Sequence, residues 1–322
     1  MRASLGTLVL VGVISAAVLS ASGGAPGAGG TDAAFHVEKV FGGAGWIGRE
    51  MHVPADVFVD ELAGCFYVTQ WRNSYVKKFR LDGTFLATFG EGRAWGGAFG
   101  NPYGIAGGPD GRLYLTLDWR CTVFVMSSDG RKVKVFSEKG SGDGQLDRPK
   151  GIARSPVNGL FYVVDRYNFR IQVFDADGNL KNKWGAMGSK PGEFYLARGI
   201  AIDEEGTVYV ADTFNHRVQV FTAEGKFLRS IGRRGGGAGE FKFPSGVAVS
   251  REGTLFVTDA GNGRIVWFTK EGEFLGAFGR RGTRPGEFNQ PLGVAVDSGG
   301  RLWVADTMNH RVQVLAPEGG AR

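Results

Sequence analysis

Residues 197–232 read ARGIAIDEEGTVYVADTFNHRVQVFTAEGKFLRSIG, and the same frame occurs six times along the chain, starting at 54, 102, 149, 197, 244 and 291. The starts are 47 or 48 residues apart. Pro-x-Gly-(Val/Ile)-Ala opens four copies, at Pro102, Pro149, Pro244 and Pro291; Pro54 opens a variant with Asp56 in the Gly place, and Ala197 replaces the Pro of the fourth. The second hairpin of each copy carries an acidic residue followed by Gly, from Asp82-Gly83 through Glu224-Gly225 to Glu318-Gly319. Such a pair suits a tight hairpin, because Gly takes positive φ without a Cβ clash. Within the copy at 197, the runs 199–203, 208–212, 217–221 and 227–231 are rich in Val, Ile, Tyr and Phe and bounded by turn residues. These are the marks of short strands.

Four strands per unit at a period in the forties predict propeller blades. The fold class is therefore all-β: a six-bladed β-propeller of four-stranded antiparallel blades. Only three residues follow Glu318-Gly319, so the sixth copy lacks its fourth strand. Residues 37–42 (VEKVFG) stand where a fourth strand precedes an opening, so the N-terminal strand is expected to close the ring and remove its open edges. Gly is abundant, 54 of 322 residues, but it recurs at fixed repeat positions, so turns account for it.

Ahead of the repeats, Arg2 precedes an apolar run over 5–19 and small residues over 20–30. That order reads as a secretory signal. The expected division is a signal peptide at 1–25, a flexible linker at 26–34 and the propeller at 35–322. The protein is then secreted or periplasmic, or membrane-anchored if the leader stays on, since about 17 residues can just span a bilayer. No later segment resembles a membrane span. The net charge of +6 becomes +5 without Arg2, and it is not gathered into runs, so no nucleic-acid partner is expected. Cys65 and Cys121 fall at opposite ends of strands in neighbouring blades, too far apart for a disulfide, and are expected to be free.

Between the second and third strands the copies carry Asn215-His216-Arg217-Val218, Asn309-His310-Arg311-Val312, Asn168-Phe169-Arg170-Ile171 and Asn262-Gly263-Arg264-Ile265, preceded by Asp212, Asp306, Asp165 and Asp259. This resembles the NHL-repeat family, with Arg in the Leu position, and the resemblance covers residues 35–322. The Asp, Asn and Arg are expected to build the corner, with Arg bridging to Asp as a bidentate pair. A Gly-x-Phe-like anchor in the blade-to-blade connectors, at Phe99, Phe194, Phe241 and Phe288, is expected to pack between blades.

Strand alternation puts corners and connectors on one face and the hairpins on the other. The connector face is the more basic, with Arg233, Arg234, Arg280, Arg281 and Arg284, while Glu204, Glu205 and other acids gather on the hairpin face. The residue after each opening falls at the mouth of the central channel: Ala55, Tyr103, Lys150, Arg198, Ser245 and Leu292, with Asp56 beside them. Lys150 and Arg198 set two cations on adjacent blades. The corners add Trp71, Arg72, Trp119, Arg120, Arg166, Tyr167 and Phe214, which the repeat itself does not require. We take Asp56, Trp71, Arg72, Tyr103, Trp119, Arg120, Lys150, Arg166, Tyr167 and Arg198 as the candidate ligand surface.

Some secreted NHL propellers resemble the peptidyl-amidoglycolate lyase type, which holds zinc with three His; here only His52 of four His falls near the channel mouth, so no metal or other cofactor is expected. NHL propellers of tripartite-motif proteins adjoin RING zinc domains, but this chain lacks the cysteines of a RING. The expectation is a monomeric exported binding scaffold whose partner is an anionic small molecule, glycan or protein segment. The alternative is a lyase or hydrolase at the channel mouth.

Overall fold

In the computed structural model, Val208–Asp212 pairs antiparallel with Arg217–Phe221, Tyr209 opposite Val220 and Asp212 opposite Arg217. Ile200–Ile202 flanks this pair on one side and Phe227–Ile231 on the other, making a blade of the predicted order. The structure describes residues 35–43, 51–90 and 99–318. Among these, six four-stranded antiparallel sheets form a six-bladed propeller. Blade one holds Pro54–Asp60, Cys65–Gln70, Tyr75–Arg80 and Phe85–Phe89. Blade six holds Pro291–Val296, Leu302–Asp306 and Arg311–Pro317, and its outer strand is Phe35–Gly42. The N-terminal strand thus closes the ring, Phe35 opposite Pro317 and Gly42 opposite Arg311, with a bulge between Val37 and Lys39. The expected leader and linker, residues 1–34, lie outside the described residues. No described helix is long and apolar enough to cross a membrane.

Six core clusters each lie between two neighbouring blades, and a seventh, Ala55, Tyr103 and Leu292 with Trp71 against it, lies at the channel mouth. Phe99, Phe194, Phe241 and Phe288 belong to four of the six and are at most 2% exposed. Leu146 takes that place between blades two and three, an apolar anchor that the Phe pattern overlooked. The anchors explain one glycine position. A Cβ on Gly90, Gly185, Gly232 or Gly279 would stand 2.3, 2.7, 2.3 or 2.5 Å from the Phe ring, and all four have positive φ.

The corners are structural, with one correction. Arg170 gives Nε to Asp165 Oδ2 at 2.8 Å, and its Nη2 goes to the carbonyls of Gly142 and Gln145 at 2.6 and 3.0 Å. The pair is single-pronged because the other arm ties the connector down. Arg217, Arg264 and Arg311 repeat this. Asn168 reaches the same carboxylate and Gly140 O. The residue after each Asn is left-handed (φ 55–67) at Phe169, His216, Gly263 and His310. Where it is His, Nδ1 accepts a backbone N–H of the next blade, Phe243 on His216 and Val53 on His310, each at 3.1 Å. Cys65 and Cys121 are buried free thiols.

Candidate functional site

The channel mouth is built from two concentric rings. The inner ring is the residue after each opening: Ala55, Tyr103, Lys150, Arg198, Ser245 and Leu292. The outer ring is the first corner residue after each second strand: Trp71, Asp118, Arg166, Thr213, Ala260 and Thr307. Below the inner ring stand Gly104, Gly151, Gly199, Gly246 and Gly293. A Cβ on the first four would come within 2.2–2.7 Å of the next blade's carbonyl oxygen, so the blades meet here backbone to backbone.

Blade one breaks this ring with Asp56. Its strand shifts register between Pro54 and Asp56. The carboxylate accepts Val57 N at 3.0 Å and Ile105 N at 3.3 Å. Burial pushes the carboxyl up to about 7, against those two N–H groups. Asp56, Tyr103, Arg198 and Ser245 line a cavity of about 30 Å³ at the axis, too small for an organic ligand.

Lys150 does not stand open at the mouth beside Arg198. It is 3% exposed, and its Nζ lies 3.0 Å from Asp118 Oδ2. Trp71 Nε1 donates to the same oxygen at 2.9 Å, and Arg148 Nη1 is 3.8 Å away. The ammonium sits 4.1 and 5.0 Å from the ring centres of Tyr103 and Trp71. Burial lowers its pKa to about 7; Asp118 opposes this, and Arg166 and Arg198 add to it. Asp118 was missed in the sequence. Its signal was present: it is the one acid in the outer ring, one blade back from Lys150.

Arg198 has a different neighbour. The outer-ring residue one blade back from it is Arg166, so a cation faces a cation. Burial first, and Arg198 second, depress the Arg166 pKa. Arg198 Nη1 donates to Ser245 Oγ at 3.2 Å. The Nε atoms of both arginines are buried without a hydrogen-bond partner. Among the described residues, neither guanidinium has a carboxylate within ion-pair distance. Beyond Arg198 a second pocket of about 200 Å³ opens between Phe214, Phe243, Ala260 and Leu292.

The other candidates lie farther out. Arg72, Trp119, Arg120 and Tyr167 are exposed corner residues and line neither cavity. Trp119 lies under Arg148 at 5.0 Å, and Tyr167 under Arg166 at 5.3 Å. The basic outer connectors are partly neutralised: Arg233 pairs with Glu240, and Arg280 and Arg284 with Glu287. Among the described residues no three His, Cys, Asp or Glu side chains could hold a metal ion together.

The NHL repeat model matches residues 241–268 and 288–315, which span the connector anchor and the first three strands, with their corner, of blades five and six. The chain is a six-bladed propeller with NHL repeats in its last two blades. The SMP-30/Gluconolactonase/LRE-like region model matches residues 108–235 of the same ring. The RING finger protein nhl-1 of Caenorhabditis elegans is 39% identical over 72 residues, 22% of this chain and 7% of its own length. The protein brain tumor of Drosophila melanogaster is 33% identical over 67 residues, 21% of this chain and 6% of its own. The chain therefore aligns with only a small fraction of those relatives. Virginiamycin B lyase from Staphylococcus aureus superimposes with a TM-score of 0.60 at 14% identity, over 88% of this chain and 99% of that one. An auxiliary nutrient binding protein from Bacteroides thetaiotaomicron gives 0.65 at 13% identity, over 84% and 70%. At such identities the likeness is one of fold alone.

Proposed function

We propose that this NHL-repeat propeller is an exported binding scaffold that takes an anionic ligand, a small molecule, glycan or protein segment, on the connector face at the channel mouth. One observation carries the reading. Arg198 and Arg166 act on each other from adjacent ring positions, with buried Nε atoms unpartnered and, among the described residues, no carboxylate in an ion pair with either. Like charges held together in a partly buried place are costly, and an anion between them removes that cost. The same ring neutralises its other cation, Lys150, with Asp118. The rigid blades hold these loops in place, as is usual where loops bind.

The test is a thermal-shift screen with acetate, sulfate, phosphate and citrate at low ionic strength. At least one anion should raise the melting temperature of the parent protein, less so in salt, since exposed charges are screened beyond about 10 Å at 0.1 M. Arg166→Gln with Arg198→Gln should lose the response, and Glu204→Gln with Glu205→Gln on the hairpin face should keep it. The reading falls if no anion responds, or if the hairpin-face variant loses the response while the arginine variant keeps it. Export rests on the apolar run 5–19, and N-terminal sequencing of protein from the envelope or medium should find a start between about residues 21 and 31.

A lyase or hydrolase at the channel mouth is the second reading. It is favoured by two ionisable groups, Asp56 and Lys150, both moved to about 7 near the same mouth. Against it, Lys150 is enclosed by Asp118, Tyr103 and Trp71.

A further inference from the structure

The second pocket has a chemistry of its own. It is lined by Arg198, Thr213, Phe214, Phe243, Ala260, Gly261, Gln290 and Leu292, and Arg198 also borders the axial cavity. It exists because blade five carries Ala260-Gly261 at its corner, where blade three has Arg166-Tyr167 and blade four Thr213-Phe214. Gly261 is held small by Lys242: a Cβ there would lie 2.6 Å from the Lys242 carbonyl oxygen. The aromatic wall is fixed in advance. Phe243 is held at φ 54 with its N–H on His216 Nδ1, and its ring meets Phe214 at 5.2 Å and 60°.

We infer that the ligand is a small monocarboxylate bearing one compact apolar group, its carboxylate between Arg166 and Arg198 and its apolar group in the Phe214–Phe243 pocket. The inference rests on the anion-binding reading and adds the second half of the ligand. At about 200 Å³ the pocket is somewhat larger than the ~150 Å³ apolar cavity that accepts a benzene ring. It offers Phe and Leu surface, with Thr213 and Gln290 as neutral polar groups. Arg198 is the one cation among its lining residues, so a second negative charge placed there would face aromatic rings. One carboxylate and one ring-sized apolar group match this division, as small-ligand sites pair apolar walls with a few orienting polar groups.

The probes are propionate, 3-phenylpropionate and 3-phenylpropanol, titrated calorimetrically into the protein. 3-Phenylpropionate should bind at least about tenfold more tightly than either of the others, which lack one half of the pairing. Ala260→Leu should fill the pocket and erase the advantage over propionate while leaving propionate binding unchanged. Phe214→Ala, at a partly exposed wall position, should reduce the same advantage and covers the case in which Ala260→Leu does not fold. If 3-phenylpropionate binds no better than propionate, the inference is overturned and the anion-binding reading stands. If 3-phenylpropanol binds as tightly as the acid, or no probe binds, the inference is overturned, and the thermal-shift screen with the arginine variant decides the anion-binding reading separately.

Discussion

Asp56 replaces glycine in a ring where the other five blades keep it, and its carboxyl is pushed up from 3.8 to about 7. The stability consequence has a definite sign. Between those values the unfolded chain has lost the proton and the native chain keeps it, so the native state binds more protons and stability falls as pH rises. At about 1.4 kcal/mol per pH unit, the interval from 3.8 to about 7 is worth about 4 kcal/mol. Asp56→Asn removes the titration but keeps the shape. It gives up one of two acceptors, for Val57 N or Ile105 N, at about 1–2 kcal/mol. At about pH 4 the variant should therefore be equal to or slightly less stable than the parent. At about pH 8 it should be the more stable by about 2–3 kcal/mol, or about 5 °C in melting temperature for a domain of this size. Urea unfolding of both proteins across this range measures the difference, in which all shared titrations cancel. A difference that stays constant from pH 4 to pH 8 would falsify the assignment of a buried, neutral carboxyl at the axis.

Deleting residues 35–42 should destabilise the ring by several kcal/mol, because blade six loses its outer strand with the buried Phe35 and Phe41; a truncated protein melting within about a degree of the parent would deny ring closure. Lys150→Ala should cost about 3–5 kcal/mol by leaving Asp118 charged and buried, and adding Asp118→Asn should recover much of it, as urea unfolding of the three variants would test. His216 latches Phe243 N through an unprotonated Nδ1, and burial lowers its pKa from 6.5. Its contribution is thus present above about pH 6.5 and lost as pH falls, so the advantage of the parent over His216→Gly, about 1 kcal/mol at neutrality by thermal denaturation, should shrink below about pH 6.

The fold was legible because its determinants are local and repeated. The spacing of openings, hairpin pairs and corners gave the strands of blade four to the residue at Val208–Asp212, Arg217–Phe221 and Phe227–Ile231. Where repetition lapses, legibility lapses too. The anchor between blades two and three is Leu146, invisible to a search for Phe. The Arg170 side chain divides itself between Asp165 and two connector carbonyls some 25 residues away, which a rule about charge pairs within one corner does not contain.

The site was half legible for a reason that the two rings make plain. A residue after one opening touches its counterparts in neighbouring blades, as Arg198 touches Ser245, but it also meets the first corner residue of the blade before. Compared ring position by ring position, Lys150 and Arg198 look like a pair. Compared with this one-blade offset, Lys150 meets Asp118 and Arg198 meets Arg166. Tyr103 meets Trp71 by the same rule, their rings 6.3 Å apart. The offset sorts the candidates by what the fold already satisfies. Aromatic meets aromatic at blade two, and cation meets acid at blade three. At blade four cation meets cation, and just beyond it small Ala260 leaves the apolar pocket open. The interactions within the propeller account for the first two meetings and leave the third without an ion-paired carboxylate among the described residues, and that is why we propose Arg166 and Arg198, rather than the larger aromatic and cationic surface around them, as the anion site.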